Sequence, residues 1–165
     1  MKKKILALAL TCIVGTSSLF AWGIGIQGGG APGANFGGGG AITFKTDNLP
    51  VVWAVDLGFG PQWFSAGVTA DWWILNKPIV GIWNWYFGVG AYVGMNIWNN
   101  DYFGINVGGR IPIGMNWMLF NNKFEIYLQA AAQLGASIGI SDGYGDHFDI
   151  FHWSVPINLG IRFWF

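Results

Sequence analysis

A strict alternation of apolar and polar side chains over residues 151–165 constrains the fold of this chain more than any other feature. The odd positions from Phe151 to Phe165 are all apolar, and the even positions from His152 to Arg162 are polar or small. A period of two is the pattern of a β-strand whose two faces have different surroundings. One face of this strand therefore meets an apolar environment, since it is too rich in aromatic side chains for a face left in water.

The first residues have the order of an export signal. Three lysines at positions 2–4 precede an apolar run over residues 5–14, and a more polar segment, residues 15–21, follows. This charged, apolar and polar order is typical of a secretory signal peptide, and the run is shorter than the about 20 residues that a membrane helix needs. We predict a signal peptide at residues 1–21, cleaved within a residue or two of Ala21, and a single mature domain at residues 22–165.

Cleavage there changes the chemistry of the chain. It removes Cys12, the only cysteine, so that no thiol or disulfide chemistry remains. A lipoprotein anchored through Cys12 is the alternative, which Thr11 disfavours because it fits poorly before a lipidated cysteine. The mature segment keeps five basic and eight acidic residues, a net charge of −3. It has no basic stripe, and we therefore expect no nucleic-acid partner.

The mature segment is apolar without containing a long apolar run. Mean hydropathy of the chain is +0.42 and 18% of its residues are aromatic, yet no segment after residue 21 reads as a membrane helix. In lipid, only helices and closed barrels satisfy every backbone polar group. The chain is therefore either a dense soluble β-domain or a membrane barrel.

A period of two recurs along the mature segment and predicts eight strands. The predicted strands are residues 22–28, 36–45, 51–59, 62–75, 79–97, 102–119, 124–140 and 151–165. Tight turns are predicted by composition at residues 47–50, 76–78 and 121–123, all at one end of the sheet. The connections at the other end are residues 28–35, 60–61, 99–101 and 141–149. Short periplasmic turns and longer outer loops are expected of outer-membrane barrels.

The apolar face of these strands carries most of the tryptophans. In a membrane barrel this face contacts lipid, and aromatic girdles form where the membrane meets water. The predicted girdle residues are Trp53, Trp83, Trp85, Trp117 and Trp153.

The opposite face carries Gly, Asn, Gln, Tyr and a small, balanced set of charges. A polar surface in water would carry many Lys and Glu, whereas sparse charges of both signs suit a lumen filled with paired ions. An eight-stranded barrel is about wide enough for its side chains to fill it. We predict that Arg110 and Arg162 pair with acidic residues in the lumen, Glu125 being the favoured partner of Arg162. The predicted lumen charges are Lys45, Asp56, Asp71, Arg110, Glu125 and Arg162.

The closing residues 158–165 have the form polar-x-Gly-x-x-aromatic-x-aromatic, with Gly160, Phe163 and Phe165 at the fixed positions. This form resembles the assembly signal of bacterial outer-membrane barrels, and the mature segment is similar in architecture to the small outer-membrane proteins A, X and W. An uncharacterised family of small spirochaete-type exported proteins resembles it more closely. The segments that carry this second resemblance are residues 45–53, 67–73, 109–117 and 160–165.

These resemblances imply an all-β fold, an eight-stranded antiparallel up-and-down transmembrane barrel in the bacterial outer membrane. They also imply two partners, the outer-membrane lipid and the barrel assembly machinery. They imply no activity. We expect a monomer with a structural or surface-interaction role, either membrane integrity or the binding of an external partner at the outer loops. A narrow passive conduit for small polar or hydrophobic solutes is the alternative.

Signals for catalysis or for a cofactor are weak, and we predict no catalytic, cofactor or metal site. One family of small barrels modifies lipid with His, Asp and Ser near its outer rim, which makes a lipid-modifying enzyme the least favoured alternative. Acids and glycines in residues 141–149 could hold Ca²⁺, although a hairpin loop has the same composition without an ion. Glycine-rich residues 28–40 lack the ending of a phosphate loop. The residues considered for catalysis are Ser141, His147, Asp149, His152 and Ser154.

Overall fold

The computed structural model describes residues 21–31, 38–98, 102–141 and 147–165. The predicted signal peptide and most of the predicted outer loops lie outside the described residues, as do the side chains of residues 102, 141 and 147–150. Within these ranges, no helix is long and apolar enough to cross a membrane.

The described residues form one antiparallel sheet that closes on itself. The strands are β1 Trp22–Gly30, β2 Gly38–Thr46, β3 Val51–Gly60, β4 Trp63–Val80, β5 Trp83–Trp98, β6 Tyr102–Leu119, β7 Phe124–Ser141, β8 His147–Ser154 and β9 Ile157–Trp164. From β1 to β8 each strand pairs with the next along the chain, β9 also pairs with β7, and β9 closes the barrel against β1.

Two of these segments, β8 and β9, form a single wall of the barrel. Both pair with β7, and the register of Ala130 with Ile157 continues into that of Gln133 with Ser154. The break falls at Pro156, which has no N–H to donate to the ladder. Its carbonyl still accepts a hydrogen bond from the N–H of Ala131 at 3.0 Å. The fold is therefore the predicted eight-stranded antiparallel barrel.

Tight connections join the strands at one end of the barrel, called here the turn end. It comprises residues 46–51, 80–83 and 119–124, and the opposite end is called the loop end. Phe120, Asn121 and Asn122 all have left-handed φ angles, from 52° to 65°, which folds the last of these turns close to its predicted position.

The predicted turn at residues 76–78 is wrong. Strand β4 continues to Val80, and the chain reverses at Gly81, whose φ of 59° suits glycine. Composition predicts a turn at Pro78 because proline lacks the N–H that a central strand needs. Here Pro78 pairs only with β5, because Trp72 is the last β4 residue that is paired with β3. On the β3 side of Pro78 there is no described strand to which an N–H would have to donate.

The outside of the barrel is apolar and the inside is polar. Outward-facing side chains remain accessible, among them Ile26 at 60% and Val107 at 54%. The buried set includes Gln129, Arg110 and Arg162. This inverts the arrangement of a soluble protein, in which fully buried charges are rare, and it follows the predicted alternation.

Glycines face aromatic rings across neighbouring strands inside the barrel. Tyr86 lies directly opposite Gly114, and Tyr127 lies opposite Gly160. A Cβ at either glycine would clash with the tyrosine ring. The glycines therefore let large rings lie flat against the wall of a narrow bore.

Candidate functional site

A buried ion pair lies in the lumen near the turn end. Glu125 on β7 and Arg162 on β9 are direct neighbours in the sheet, and Arg162 Nη1 lies 2.8 Å from Glu125 Oε2. Their residues are 0% and 1% exposed. Asn116 Nδ2 donates to Glu125 Oε1 at 2.8 Å, and Trp164 Nε1 donates to Oε2 at 3.0 Å. The carboxylate therefore has three donors, as a buried charge requires.

The guanidinium of Arg162 also reaches over β1 to the next strand, β2. Its Nη2 lies 3.5 Å from Thr43 Oγ1 on β2, and its Cζ lies 4.8 Å from the ring centroid of Tyr127. Tyr127 in turn donates its hydroxyl to Gln27 Oε1 on β1 at 3.1 Å. Charge–ring contact of this kind is favourable where water is excluded. Four consecutive strands of the wall, β2, β1, β9 and β7, are thus linked by side chains on the lumen side.

Aromatic stacking continues this cluster. The rings of Trp73 and Tyr86 stack at 3.8 Å between centroids, and the ammonium of Lys45 lies 3.9 Å above the Trp73 ring. Tyr86 donates its hydroxyl to Gln129 Oε1 at 3.1 Å. Lys45 forms no ion pair with a described carboxylate. Its ammonium group lies in the lumen against an indole ring.

A second ion pair lies in the lumen farther from the turn end and bridges over one strand. Arg110 Nε on β6 lies 2.9 Å from Asp71 Oδ1 on β4, and both side chains are 3% exposed. Gly90 on β5 stands between them and is paired with both. A Cβ at Gly90 would clash with the Asp71 carboxylate, so glycine is what permits this bridge over the intervening strand. Gln129 Nε2 donates to Asp71 Oδ2 at 3.3 Å.

The loop-end half of the lumen holds a cavity of about 620 Å³. Asp56 and Arg110 lie at its inner end, and Trp63 and Trp98 lie near its mouth with their rings 6.2 Å apart. The described residues leave it open rather than enclosed. The expectation of a filled lumen therefore fails in this half, because glycines, small residues and amides make up much of its wall, whereas stacked rings fill the other half.

Two acceptor oxygens at the cavity have no hydrogen-bond partner among the described residues. Asp56 Oδ1 accepts from Gln27 Nε2 at 3.4 Å, whereas its buried Oδ2 has no partner. Asn106 is 7% exposed and its Oδ1 is also unpartnered. Of the six predicted lumen charges, four thus form two ion pairs, while Lys45 and Asp56 form none with the residues that the structure describes.

The predicted girdle tryptophans lie on the outward face. Trp83 and Trp117 make an edge-to-face contact at 4.7 Å near the turn end, and Trp85 is on the neighbouring position of the same face. Trp53 is exposed near the turn end, and Trp153 is exposed in the loop-end half. Their membrane role stays a prediction.

The residues of the predicted assembly signal meet the start of β1. Phe165 stacks on Trp22 with centroids 4.4 Å apart and donates its N–H to the carbonyl of Trp22 at 2.9 Å. Phe163 makes an edge contact with Phe165 at 4.9 Å, and Gly160 seats Tyr127. These contacts close the barrel, and recognition by assembly machinery stays a prediction.

The residues considered for catalysis are only partly described. Ser154 donates its hydroxyl to Gln133 Oε1 at 2.9 Å, and His152 lines the cavity. The side chains of Ser141, His147 and Asp149, and residues 142–146 of the loop considered for Ca²⁺, lie outside the described residues. In the described part of the chain, no three His, Cys, Asp or Glu side chains form a group that could hold a metal ion.

Sequence reasoning missed the neutral partners of the charges. Asn116, Trp164 and Gln129 supply hydrogen bonds to the two carboxylates. The available signal was parity, that is, whether a residue falls on an odd or an even position of its strand and so on its outward or inward face. Parity places Asn116 and Gln129 on the inward face. Which residues they contact depends on the register between strands, which parity does not determine.

Comparison with known proteins places the fold. No protein-family model and no curated protein matches the chain. Neisserial surface protein A matches with a TM-score of 0.55 at 13% identity, over 87% of this chain and 96% of its own. The N-terminal β-barrel domain of Pseudomonas aeruginosa OprF matches at 0.48 with 19% identity, over 88% and 97%. A major outer membrane protein from Thermus thermophilus matches at 0.47 with 14% identity, over 89% and 100%. The chain has the fold of small outer-membrane β-barrels.

Proposed function

We propose that this chain is an integral protein of the bacterial outer membrane that acts by contact at the cell surface and not by passage of solutes. An apolar outer face and a polar, ion-paired interior support a membrane setting, since a barrel leaves no backbone edge unpaired in lipid. The surface role is either binding of an external partner or support of membrane integrity.

The observation that carries the proposal is the closure of the turn-end half of the bore. Arg162 reaches from β9 to Glu125 and Thr43, and Tyr127 reaches from β7 to Gln27. Two contacts span the lumen itself: Gln129 on β7 donates to Asp71 on β4, three strands away, and the Arg162 guanidinium lies 5.9 Å from the ring of Trp73, four strands away. A solute passing through would have to break buried ion pairs, and separating one such pair costs about 3–5 kcal/mol.

Binding at the surface is favoured over a purely structural role by the cavity. A volume of about 620 Å³ lies within the range of small-molecule sites, roughly 300–1,000 Å³. Its mouth lies at the loop end, which faces outward if the turns are periplasmic.

Planar-bilayer recording tests the closed bore. The purified barrel should give no single-channel steps at neutral pH. A water-filled porin recorded under the same conditions shows that the assay detects an open bore. Stable conductance from the unmodified protein would favour the conduit instead.

Membrane setting, export and assembly state need a separate experiment. After expression in a Gram-negative host, the protein should fractionate with outer membranes, with its first residue near Trp22. It should also run as a monomer whose gel mobility changes on heating. Recovery as a detergent-free soluble monomer would contradict the membrane assignment.

A further inference from the structure

The cavity in the loop-end half presents hydrogen-bond acceptors that nothing in the described barrel satisfies. Asp56 Oδ2 and Asn106 Oδ1 are both buried and unpartnered, and both residues line the cavity. Buried polar atoms normally have partners, because leaving one unpaired costs free energy. These acceptors lie on β3 and β6, three strands apart, and fit a ligand between them that donates hydrogen bonds. Trp63 Nε1 and the Tyr92 hydroxyl in the same lining are also unpartnered, so the charge of the cavity decides which kind of ligand it favours.

The charges around the cavity favour a cation. Arg110 is the only described Lys or Arg in the lining, and its guanidinium is already paired with Asp71. Asp56 has no ion-pair partner among the described residues. Asp56, Asp71 and Arg110 together leave one negative charge at the inner end of the cavity. An anionic ligand would meet a carboxylate without a free cation to offset it.

Two indole rings stand near the mouth. Trp63 and Trp98 are half-buried with centroids 6.2 Å apart. The Trp63 ring is held flat against β3, where Gly58 and Gly60 leave the space that a Cβ would take. Indole faces attract organic cations and also cover the methylene groups of an alkyl chain.

We propose that this cavity binds a small organic cation carrying a protonated amine, with Asp56 as its counter-ion. The ammonium donates to Asp56 Oδ2 and Asn106 Oδ1, and the carbon chain extends between Trp63 and Trp98. This inference rests on the proposed surface-binding function, for which it names the class of ligand.

The test compares three linear probes of equal carbon number: 1,5-diaminopentane, 1,5-pentanediol and glutarate. Binding to the full barrel in detergent is measured by saturation-transfer NMR, after a heat-modifiability gel has shown that each variant is folded. The variants are Asp56→Asn and, as a matched control, Asp47→Asn, which removes an exposed acid at the turn end.

The diamine should bind saturably and more tightly than the diol, and glutarate should bind least. Asp56→Asn should weaken diamine binding roughly tenfold to a hundredfold, the effect of one hydrogen bond to a charged group. Asp47→Asn should leave it unchanged. If Asp56→Asn does not fold, the order of the three probes on the unmodified barrel still decides.

Equal binding of diamine and diol would overturn the counter-ion role and indicate a neutral, hydroxyl-bearing ligand. Preferential glutarate binding, or no binding of the diamine, would overturn the proposal as well. A silent bilayer recording alongside such a result would leave the closed, surface-acting barrel standing. Conductance by the unmodified protein would instead contradict both the closed, surface-acting barrel and the cation-binding proposal that rests on it.

Discussion

Removing the charges of the Arg162–Glu125 pair one at a time should destabilise the barrel unequally. After Arg162→Ala, Glu125 keeps the donors Asn116 and Trp164 at 2.8 and 3.0 Å. After Glu125→Ala, Arg162 keeps Thr43 Oγ1 at 3.5 Å and the Tyr127 ring, while two donors lose their acceptor. Breaking a buried pair costs about 3–5 kcal/mol. We therefore expect the loss of unfolding free energy to lie near the lower end of this range for Arg162→Ala and near the upper end for Glu125→Ala.

The double variant isolates the interaction within this pair. Removing both side chains leaves no uncompensated charge, so its loss of stability should be smaller than the two single losses together by roughly 0.5–3 kcal/mol. The free energy of unfolding would be measured by reversible urea unfolding in lipid vesicles, followed by gel mobility. Lys123→Ala, in an exposed turn, is the control and should change stability by less than about 0.5 kcal/mol.

Two results would refute this reasoning. The first is a double variant whose loss equals that of the two singles combined, because the charges would then not be coupled. The second is Arg162→Ala costing more than Glu125→Ala, because the donors around the carboxylate would then not support it.

Three further predictions concern the wall of the barrel. Gly160→Ala should lower the urea midpoint, because the new Cβ would clash with the Tyr127 ring. Gly109→Ala is the control and should not lower it, because a Cβ there makes only ordinary contacts. Equal losses of stability in the two variants would refute the steric argument. Val107→Arg should destabilise by about 2–4 kcal/mol if its outward face lies near the bilayer midplane, with Val107→Leu as the neutral control in the same unfolding assay. Phe165→Asp should lower the heat-modifiable fraction in cells more than it lowers refolding of purified protein into detergent; equal yields in cells would contradict the assembly role.

Much of the fold could be predicted, because the alternation of apolar and polar side chains assigns the two faces of each strand even where a turn is misplaced. Parity assigns Ile26 and Val107 to the outside and Arg110 to the inside without any knowledge of register. The proximity of Arg162 to Glu125 could also be anticipated, since both lie near the turn end of neighbouring strands. Composition misplaced the turn at residues 76–78, because Pro78 is tolerated on a strand that overhangs its neighbour.

The partner of Arg110 could not be predicted in the same way. Asp71 is two strands away, so the contact depends on two registers and on the absence of a side chain at Gly90 between them. A shift of two residues in either register would leave every side chain on the same face of the sheet, but it would separate Arg110 from Asp71. The sequence therefore supplied the set of acids that face the bore without selecting one.

The cavity could not be predicted from the sequence either. Alternation indicates which face of a strand a side chain occupies, but it does not indicate how much of the bore that side chain fills. Glycines on the inward face suggested space for long side chains such as Arg110. In the structure, Gly114 and Gly160 lie beneath Tyr86 and Tyr127, so the bore near the turn end is filled by rings lying across strands. Toward the loop end the inward positions carry amides and small residues, which cannot span the same width. One eight-stranded wall therefore gives a closed half and a hollow half, and the boundary between them is the bridge over Gly90.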